Sequence, residues 1–361
     1  MKIVLAIDSF KGCLTADEAV AVAAQAWKHS RPGDEVVEMP VTDGGDGMMQ
    51  VFSRVYGCTP ISVPCHDALM RPIAATFALR ADGLCILETA AACGLHLLGA
   101  DELRPLRATT YGVGELMIAA IERGCRSMLI GLGGSATSDC GLGMLKAFRR
   151  HWGDDWLQVV RGQGLDLRLA SDVDNPLFGP RGAAAVYGPQ KGADRATIAL
   201  LDRRAATFAI AAARKMGYDR STQPGAGAAG GLGYAFMQFL DARVTSGADV
   251  LLRAVRFDEL VAGAHLVVTG EGSADRQTLM GKIPQRILQR AARVGVPVHL
   301  LAGRVRDEAA LLQAGFASVQ SINPPDMSLE QALNPDVARH NLAGAVTVLA
   351  QGADARQGAE G

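Results

Sequence analysis

Short apolar runs that end in polar turns recur along the chain, and they predict the buried strands of a parallel sheet. The first run covers residues 3–7 (IVLAI), and a polar turn beginning at Asp8 follows it. Residues 15–18 (TADE) form a capping box before an Ala/Val-rich stretch, which predicts a helix over 15–28. A second strand is predicted over 35–41. The chain therefore opens as strand, helix, strand, the pattern of an open α/β sheet.

The middle of the chain differs from its two ends. Gly-rich turns and helices separate shorter strands there, whereas clean buried strands return near the C-terminal end. The predicted middle elements are strands 73–79, 84–88 and 127–130 with helices 114–123 and 193–216, and the later strands are 264–269, 297–301 and 317–322. We predict an α/β fold of two domains: a Rossmann-like doubly wound sheet from residues 1–62 and 255–361, and a second α/β domain, residues 63–254, inserted into it.

Composition narrows the class of protein. The net charge is -1, so no bulk field favours nucleic acid or a membrane, and 5% aromatic residues argue against stacking on single strands. The 42 glycines cluster in a few loops, which predicts backbone that bends sharply or approaches a ligand. Seven cysteines without metal-ligand spacing indicate reduced thiols. No apolar stretch resembles a signal peptide or a membrane span, so we expect a cytoplasmic protein.

Ligands of an open α/β sheet bind beyond the carboxyl ends of its strands, so the turns after strands are the candidate sites. Asp8, Ser9 and Lys11 follow the first strand and precede a helix, where an anion is favoured. The alternative is a surface cap with a solvated lysine. Asp43 and Asp46 follow the second strand with glycines between them, and they suit Mg²⁺ or a sugar-like hydroxyl. The alternative is a turn with side-chain hydrogen bonds, in which Asp46 caps a helix.

The loop over 131–145 (GLGGSATSDCGLGML) combines glycines, hydroxyls and a carboxylate between a strand and a helix. The N–H groups of Gly133, Gly134 and Ser135 can form an anion nest, to which the helix dipole adds. Ser135 and Thr137 can donate to phosphate oxygens, and Asp139 either binds a metal or caps the helix. A capped turn is the alternative, but it does not account for the paired glycines.

Two later turns carry similar chemistry. Asp172 lies in a carboxylate- and amide-rich turn, and Lys191 lies between turn residues, where it suits a phosphate or carboxylate. The alternatives are that the first turn merely contains residues that favour turns, and that Lys191 is a solvated surface lysine. Residues 269–282 follow the predicted strand with the clearest apolar pattern, residues 264–269. Glu271 and Asp275 in this segment are spaced to face one pocket. Two cations of this segment, Arg276 and Lys282, suit phosphate.

Two nucleotide-binding motifs bear on the class of protein. No GxxxxGK[ST] occurs, which excludes a P-loop protein. Residues 225–230 match GxGxxG, but no strand precedes them, so a Gly-rich packing turn is favoured. This match alone supports a nicotinamide-dependent hydroxy-acid oxidoreductase. A non-catalytic protein that binds small acids is the other alternative.

The polar turns together carry a family resemblance. The motifs are DSFKG (8–12), TDGGDG (42–47), TTYGVGEL (109–116), GLGGSATSDCGLGM (131–144), DVDNPLFG (172–179), YGPQKGA (187–193), PGAGAAGGLG (224–233), TGEGSADRQTLMGK (269–282) and MSLEQA (327–332). In order and spacing they resemble the bacterial glycerate kinases of the glycerate 2-kinase type, over residues 1 to about 350. Met48 and Ser273 depart from that pattern, because the family commonly has Thr and Arg there.

The resemblance implies an enzyme that uses ATP and Mg²⁺ to phosphorylate D-glycerate at its 2-hydroxyl. It also implies two α/β domains with the site in the cleft between them. The expected partners are glycerate and ATP, without nucleic acid or membrane, and the chain is expected to be a monomer or homodimer.

For such a reaction, we expect the following roles for residues in the polar turns. The nucleotide is expected on Gly133, Gly134, Ser135, Thr137, Glu271 and Lys282, and Mg²⁺ on carboxylates among Asp139, Asp172 and Asp275. The substrate is expected to meet Asp8, Ser9, Asp43, Asp46 and Gln190, with Lys11 and Lys191 at its carboxylate. Asp172 is the first choice for the general base, and Asp43 is the second.

Overall fold

The structure is a computed structural model that describes residues 1–10, 12–42 and 47–357, with side chains as far as Ala353. Three predicted site residues, Lys11, Asp43 and Asp46, lie outside the described residues.

Strands and helices alternate along most of the chain. The strands are β1 (Lys2–Ile7), β2 (Glu35–Pro40), β3 (Thr59–His66), β4 (Pro72–Leu79), β5 (Leu84–Glu88), β6 (Ser127–Gly131), β7 (Asp166–Ala170), β8 (Arg243–Thr245), β9 (Leu266–Ala274), β10 (Val298–Val305) and β11 (Ser318–Ser321).

The α-helices are α1 (Ala16–Ser30), α2 (Met48–Tyr56), α3 (Ala90–Cys93), α4 (Tyr111–Glu122), α5 (Leu142–Trp152), α6 (Trp156–Gly162), α7 (Ala183–Tyr187), α8 (Arg195–Met216), α9 (Ala228–Leu240), α10 (Gly247–Ala254), α11 (Phe257–Val261), α12 (Ile283–Ala292), α13 (Glu308–Gln313), α14 (Leu329–Ala332) and α15 (Pro335–Gln357). Short 3-10 turns cover Leu95–Leu97, Ala100–Glu102, Pro189–Lys191 and Arg276–Leu279.

The first compact unit, here the outer unit, comprises Met1–Asp43 and Ala248–Gly361. Its sheet has the order β11-β10-β9-β1-β2, and the pairs are parallel. The chain leaves β1 for β2 on one side and later returns to β9 on the other. The strand order therefore reverses between β1 and β9, which is the switch point where doubly wound sheets bind ligands.

The core of the outer unit follows from the continuous apolar character of β1. Ile3, Leu5 and Ile7 pack in one cluster with residues of α1 and α15, such as Trp27 and Leu342. The alternate residues of β1 are also fully buried. Because both faces of the strand are covered, it reads as an uninterrupted apolar run.

The predicted capping box forms at the start of α1. The backbone N–H of Glu18 donates to the Thr15 hydroxyl (3.2 Å), and the Thr15 N–H donates back to the Glu18 carboxylate (3.0 Å). These two bonds satisfy N–H groups that the first turn of a helix leaves without partners, so the helix begins at Ala16.

The second unit, here the inserted unit, comprises Gly44–Gly247. Its sheet has the order β3-β4-β5-β6-β7-β8; the first two pairs are antiparallel and the rest are parallel. Its own core includes Met117 of α4, Phe148 of α5 and Phe236 of α9. The predicted fold class, a Rossmann-like sheet with a second α/β domain inserted, is confirmed.

The unit boundaries lie elsewhere than the predicted 62/63 and 254/255. β3 pairs with β4 from Thr59 opposite Leu79 to His66 opposite Pro72, so residues 59–62 belong to the sheet of the inserted unit. β3 carries Pro60 and Pro64, which a sheet tolerates at its edge but which obscure a strand pattern in the sequence.

Two expectations from composition can be compared with the structure. The seven cysteines are all free thiols, as expected. Across the part of the chain that is described, no helix combines the length and the apolar character needed to cross a bilayer.

Candidate active site

The parallel strands of the inserted unit bring several predicted site residues to one edge of its sheet. β5, β6, β7 and β8 all run in the same direction, so the loops after them begin at the same edge. Ser135 follows β6 and Asp172 follows β7. This edge is where ligands of α/β sheets bind.

The loop after β6 has backbone features that the predicted anion nest requires. Gly134 has a φ of +70°, the left-handed value that such a nest uses. In the described part of the chain, the N–H groups of Gly133, Gly134 and Ser135 donate to no carbonyl oxygen. The carbonyl of Gly134 accepts from Leu95 (2.8 Å), which holds the loop in place. Three successive N–H groups are therefore without a backbone acceptor among the described residues, as the predicted nest requires.

Lys191 is buried behind this loop, with 2% of its surface exposed. Its ammonium donates to the hydroxyl of Ser135 (3.1 Å) and to the carbonyl of Thr137 (2.6 Å). Burial lowers the pKa of Lys191 to about 8, although the nearby Cys93 and Asp139 act in the opposite direction. The ammonium therefore uses two of its three protons inside the protein, which argues against the predicted contact of Lys191 with the glycerate carboxylate.

The bond from Lys191 has a consequence for Ser135. The hydroxyl oxygen of Ser135 accepts a hydrogen bond from the ammonium, so the hydroxyl proton of Ser135 remains available for donation to another group. The hydroxyl of Thr137 is fully buried beside the thiol of Cys93, with which it can share a hydrogen bond.

Asp139 is a capping residue in this structure. Its carboxylate accepts from the backbone N–H groups of Thr110 (2.9 Å), Gly141 (3.0 Å) and Gly143 (2.9 Å), and from the Thr110 hydroxyl. Both oxygens are thereby occupied by donors from the starts of α4 and α5. The capping alternative accounts for these contacts, and they argue against the metal role predicted for Asp139.

The GxGxxG match over 225–230 is a packing turn. A Cβ added at Gly230 would lie 1.9 Å from the carbonyl oxygen of Thr137, and one at Gly227 would lie 2.4 Å from that of Pro176. Residues 229–231 have positive φ values, so the regular part of α9 begins after them. Because protein atoms fill the space beside these glycines, they cannot receive a pyrophosphate, and the oxidoreductase alternative loses its support.

The turn after β7 contains one structural amide and one candidate carboxylate. The side chain of Asn175 donates to the carbonyl of Arg181 (2.8 Å) and accepts from the Tyr187 hydroxyl (2.6 Å), so it holds the turn together. Asp172 is partly buried at the carboxyl end of the strand. Gln190 is exposed in the 3-10 turn that carries Lys191.

The outer unit places a second set of predicted residues at its switch point. Asp8 and Ser9 follow β1, and the N–H of Asp8 donates to the carbonyl of Gly270 in β9 (2.9 Å). The N–H of Ser9 donates to the Asp8 carboxylate (2.6 Å). Asp8 therefore lies beside Glu271, the next residue of β9.

Glu271 joins the end of β9 to the turn that follows it. Its buried carboxylate accepts from the Thr278 hydroxyl (2.6 Å) and pairs with the Lys282 ammonium (3.4 Å). Asp275 caps the 3-10 turn by accepting from the N–H of Gln277 (2.7 Å). The structure thus brings Glu271 and Lys282 together, as their assignment to one site requires. One carboxylate oxygen of Asp275 is occupied by the N–H of Gln277 in the same turn.

Comparisons with known proteins agree with the motifs. A family model described as the glycerate kinase family matches residues 3–167 and 155–352. The glycerate kinase of Bacillus subtilis (strain 168) is 40% identical over 354 residues, covering 92% of this chain and 93% of that protein. The glycerate 2-kinase of Escherichia coli (strain K12) is 34% identical over 354 residues, with the same coverage.

A solved structure shows the same fold. The crystal structure of a putative glycerate kinase 2 from Salmonella typhimurium LT2 is 32% identical, has a TM-score of 0.79, and covers 99% of this chain and 99% of that chain. With the family model spanning nearly the whole sequence, the chain belongs to the glycerate kinase family.

Proposed function

We propose that the protein transfers the γ-phosphoryl group of ATP to the 2-hydroxyl of D-glycerate, giving 2-phospho-D-glycerate. Membership of the glycerate kinase family supports the reaction class, and the name of the E. coli relative, glycerate 2-kinase, supports the position. The structural observation that carries the proposal is the nest over Gly133, Gly134 and Ser135, an anion site at the carboxyl edge of a parallel sheet.

Phosphoryl transfer depends mainly on alignment and charge neutralisation. In the inserted unit, three backbone N–H groups and the Ser135 hydroxyl supply donors for phosphate oxygens. The ammonium of Lys191 lies directly behind Ser135 (3.1 Å) and adds positive charge without contacting the ligand. The nest can thus stabilise a phosphoryl group as its charge redistributes.

The acceptor hydroxyl must lose a proton, and a carboxylate is a suitable base. Asp172, at the carboxyl end of β7, is our proposed general base. Asp8 and Ser9 at the switch point of the outer unit, and Gln190 in the inserted unit, are proposed to bind the substrate. Asp43, Asp46 and Lys11, the other residues expected near it, lie outside the described residues.

Mg²⁺ in kinases is usually bound through one or two carboxylates together with the phosphates of the nucleotide. Asp139 does not fit that role, because donors occupy both of its oxygens. Asp172 and Asp275 have carboxylates that fit it, and no group of three or more potential ligands occurs within the described residues. When bound, Mg²⁺ would neutralise phosphate charge.

The reaction is tested by phosphorus NMR of the products formed from ATP, Mg²⁺ and D-glycerate. We expect ADP and 2-phospho-D-glycerate. A 3-phosphoglycerate product would contradict the position, and the absence of any phosphoglycerate would contradict the kinase activity.

The base is tested by Asp172→Asn, with Asp174→Asn as the control because Asp174 is an exposed carboxylate in the same turn. The Asp172 variant should lose about 10²-fold or more in kcat, with little change in KM for glycerate. Near-normal kcat in Asp172→Asn would remove this residue from the mechanism.

A further inference from the structure

The outer unit contains a cavity of about 600 Å³ at the carboxyl ends of its strands. Phe10 after β1, Gly272 in β9, Gly303 in β10 and Ser321 in β11 all line it. It therefore begins at the switch point between β1 and β9, and extends along the edge of the sheet. Ligand sites usually measure about 300–1,000 Å³. The cavity beside Ser138 in the inserted unit, about 280 Å³, is smaller than that range.

One wall of the cavity is apolar and preformed. It is lined by Val319, Ile322, Met327 and Leu333, together with Pro324 and Pro325.

The polar groups among these residues are already paired with one another. The Asn323 amide donates to the carbonyl of Gly303 (2.8 Å) and accepts from Asn341 (2.9 Å), while the Ser321 hydroxyl donates to the carbonyl of Asn323 (2.9 Å). These hydrogen bonds fix the segment that forms the wall, and the side chains that line the cavity there are mostly apolar.

The rim of the cavity is charged. Arg304 and Arg306, at the end of β10, make no ion pair with any described residue. Asp307 is paired with Arg276 (3.6 Å), whereas Glu308 forms no such pair in the described part of the chain. Two guanidinium groups are therefore available to an anion, and one carboxylate is available to a hydroxyl.

We propose that this cavity binds the nucleoside part of the nucleotide, with the base against the apolar wall, a ribose hydroxyl at Glu308, and the adjoining phosphate at Arg304 and Arg306. The inference rests on the proposed use of ATP. A nucleotide matches the cavity because it joins an aromatic base, whose faces pack on apolar surfaces, with hydroxyls and anionic groups in one molecule. A carboxylate that accepts ribose hydroxyls beyond a strand end also occurs in dinucleotide-binding sheets.

Filling the cavity tests the base site. Ala332 lines the cavity from the short helix α14 and is partly exposed, so Ala332→Phe should fill the space without disturbing the core. Glu330→Phe is the matched control, since Glu330 is exposed on the same helix and does not line the cavity. Binding of the β,γ-imido analogue of ATP and of inorganic tripolyphosphate is measured by calorimetry in Mg²⁺.

Ala332→Phe should raise the Kd of the ATP analogue by about 10-fold or more, and leave the Kd of tripolyphosphate within about 2-fold. The double variant Arg304→Gln/Arg306→Gln should weaken both ligands, whereas Arg293→Gln, an exposed arginine outside the cavity, should weaken neither. The double variant alters only exposed side chains, so it tests the site even if Ala332→Phe fails to fold.

An unchanged Kd for the ATP analogue in folded Ala332→Phe, or in the double arginine variant, would overturn the inference. If the wild-type enzyme still converts glycerate and ATP to phosphoglycerate, the proposed function survives that result. Conversely, loss of analogue binding in both variants, with no phosphoglycerate from the wild type, would support the nucleoside site and reject the kinase activity.

Discussion

At the scale of single residues, Lys191 makes the sharpest prediction about activity. A buried ammonium without a carboxylate partner is costly, yet here it polarises the Ser135 hydroxyl at 3.1 Å. Lys191→Met keeps the length of the side chain and removes its charge. We expect kcat/KM for ATP to fall by about 10-fold or more, because hydrogen bonds to charged groups are worth about 1.5–3 kcal/mol.

The control is Lys215→Met, which removes an exposed lysine of the inserted unit near the end of α8. It should behave as the wild type does. Equal kcat/KM in the Lys191 variant would show that the ammonium serves the fold alone.

The same residue predicts a pH dependence of stability. The pKa of Lys191 falls from its ordinary 10.5 to about 8 on folding. Between these values the unfolded chain binds more protons, so the free energy of unfolding should rise with pH from about 8 to about 10.5. Below pH 8 the buried charge costs on the order of 3 kcal/mol. The difference between wild type and Lys191→Met, measured by urea unfolding across this window, isolates the effect; a constant difference would contradict it.

Asp139 gives a prediction that separates capping from metal binding. In Asp139→Asn, an amide NH₂ replaces one acceptor oxygen and faces backbone donors at the start of α5. We expect a loss of about 1–3 kcal/mol in the free energy of unfolding, with the half-saturating Mg²⁺ concentration for activity unchanged. Asp154→Asn, at an exposed carboxylate, should change stability by less than about 0.5 kcal/mol. A large shift in the Mg²⁺ requirement would restore the metal role.

Residue types in the turns predicted which chemistry is present, but not where each side chain points. The donors of Gly133–Ser135 could be anticipated, because glycines after a strand at a helix start have few other uses. The burial of Lys191 could not, since it depends on the distant loop at 135–137 closing over the side chain. Likewise Asp139 finds its partner Thr110 through tertiary packing alone.

At the scale of elements, the turn before α9 should be intolerant of side chains. Gly230 has a φ of +66°, and its missing Cβ leaves room for the Thr137 carbonyl, which also binds Lys191. Gly230→Ala should therefore cost more than about 3 kcal/mol, as left-handed strain of about 1–2 kcal/mol is joined by a backbone clash. The measurement is the urea unfolding of purified protein.

Gly217→Ala is the matched control for this substitution. Gly217 ends α8 with a φ of +80°, and nothing lies within 4 Å of the Cβ position. It should lose only the strain of about 1–2 kcal/mol. Equal losses at the two sites would mean that the packing of the turn against 137–140 contributes little.

Several helices and strands could be predicted from the local pattern of apolar and capping residues. The apolar run over 84–88 coincides with β5, and the capping box places the start of α1 correctly. β7 and β8 did not stand out as strands, because they are short and their residues are stabilised mainly by neighbours in the sheet. β3, with two prolines, is a strand only because β4 pairs with it.

At the scale of the whole molecule, the order of strands explains where chemistry can occur. Alternating strands and helices predicted a doubly wound sheet, but the reversal between β1 and β9 joins residues more than 250 positions apart. Local pattern contains no information about such pairing. The predicted nest, by contrast, lies within one strand-loop-helix segment, so the local sequence alone suggests it.

The last prediction concerns the inserted unit as a folding unit. It has its own sheet and its own core, so a fragment of residues 47–247 should unfold cooperatively in urea. A fragment of residues 63–254, the boundary predicted from sequence, removes α2 and half of β3, and thereby breaks the pairing of residues 59–62 with β4.

The exposed edge of β4 and the apolar surface beneath α2 should make the fragment of residues 63–254 less stable and prone to association. Urea midpoints and light scattering of both fragments measure this. Equal stability would mean that residues 59–62 of β3 contribute nothing measurable to the stability of the sheet. The inserted unit would then begin at residue 63, as predicted from the sequence. A clear difference would show that strand pairing, which local pattern cannot reveal, sets the limit of the inserted unit.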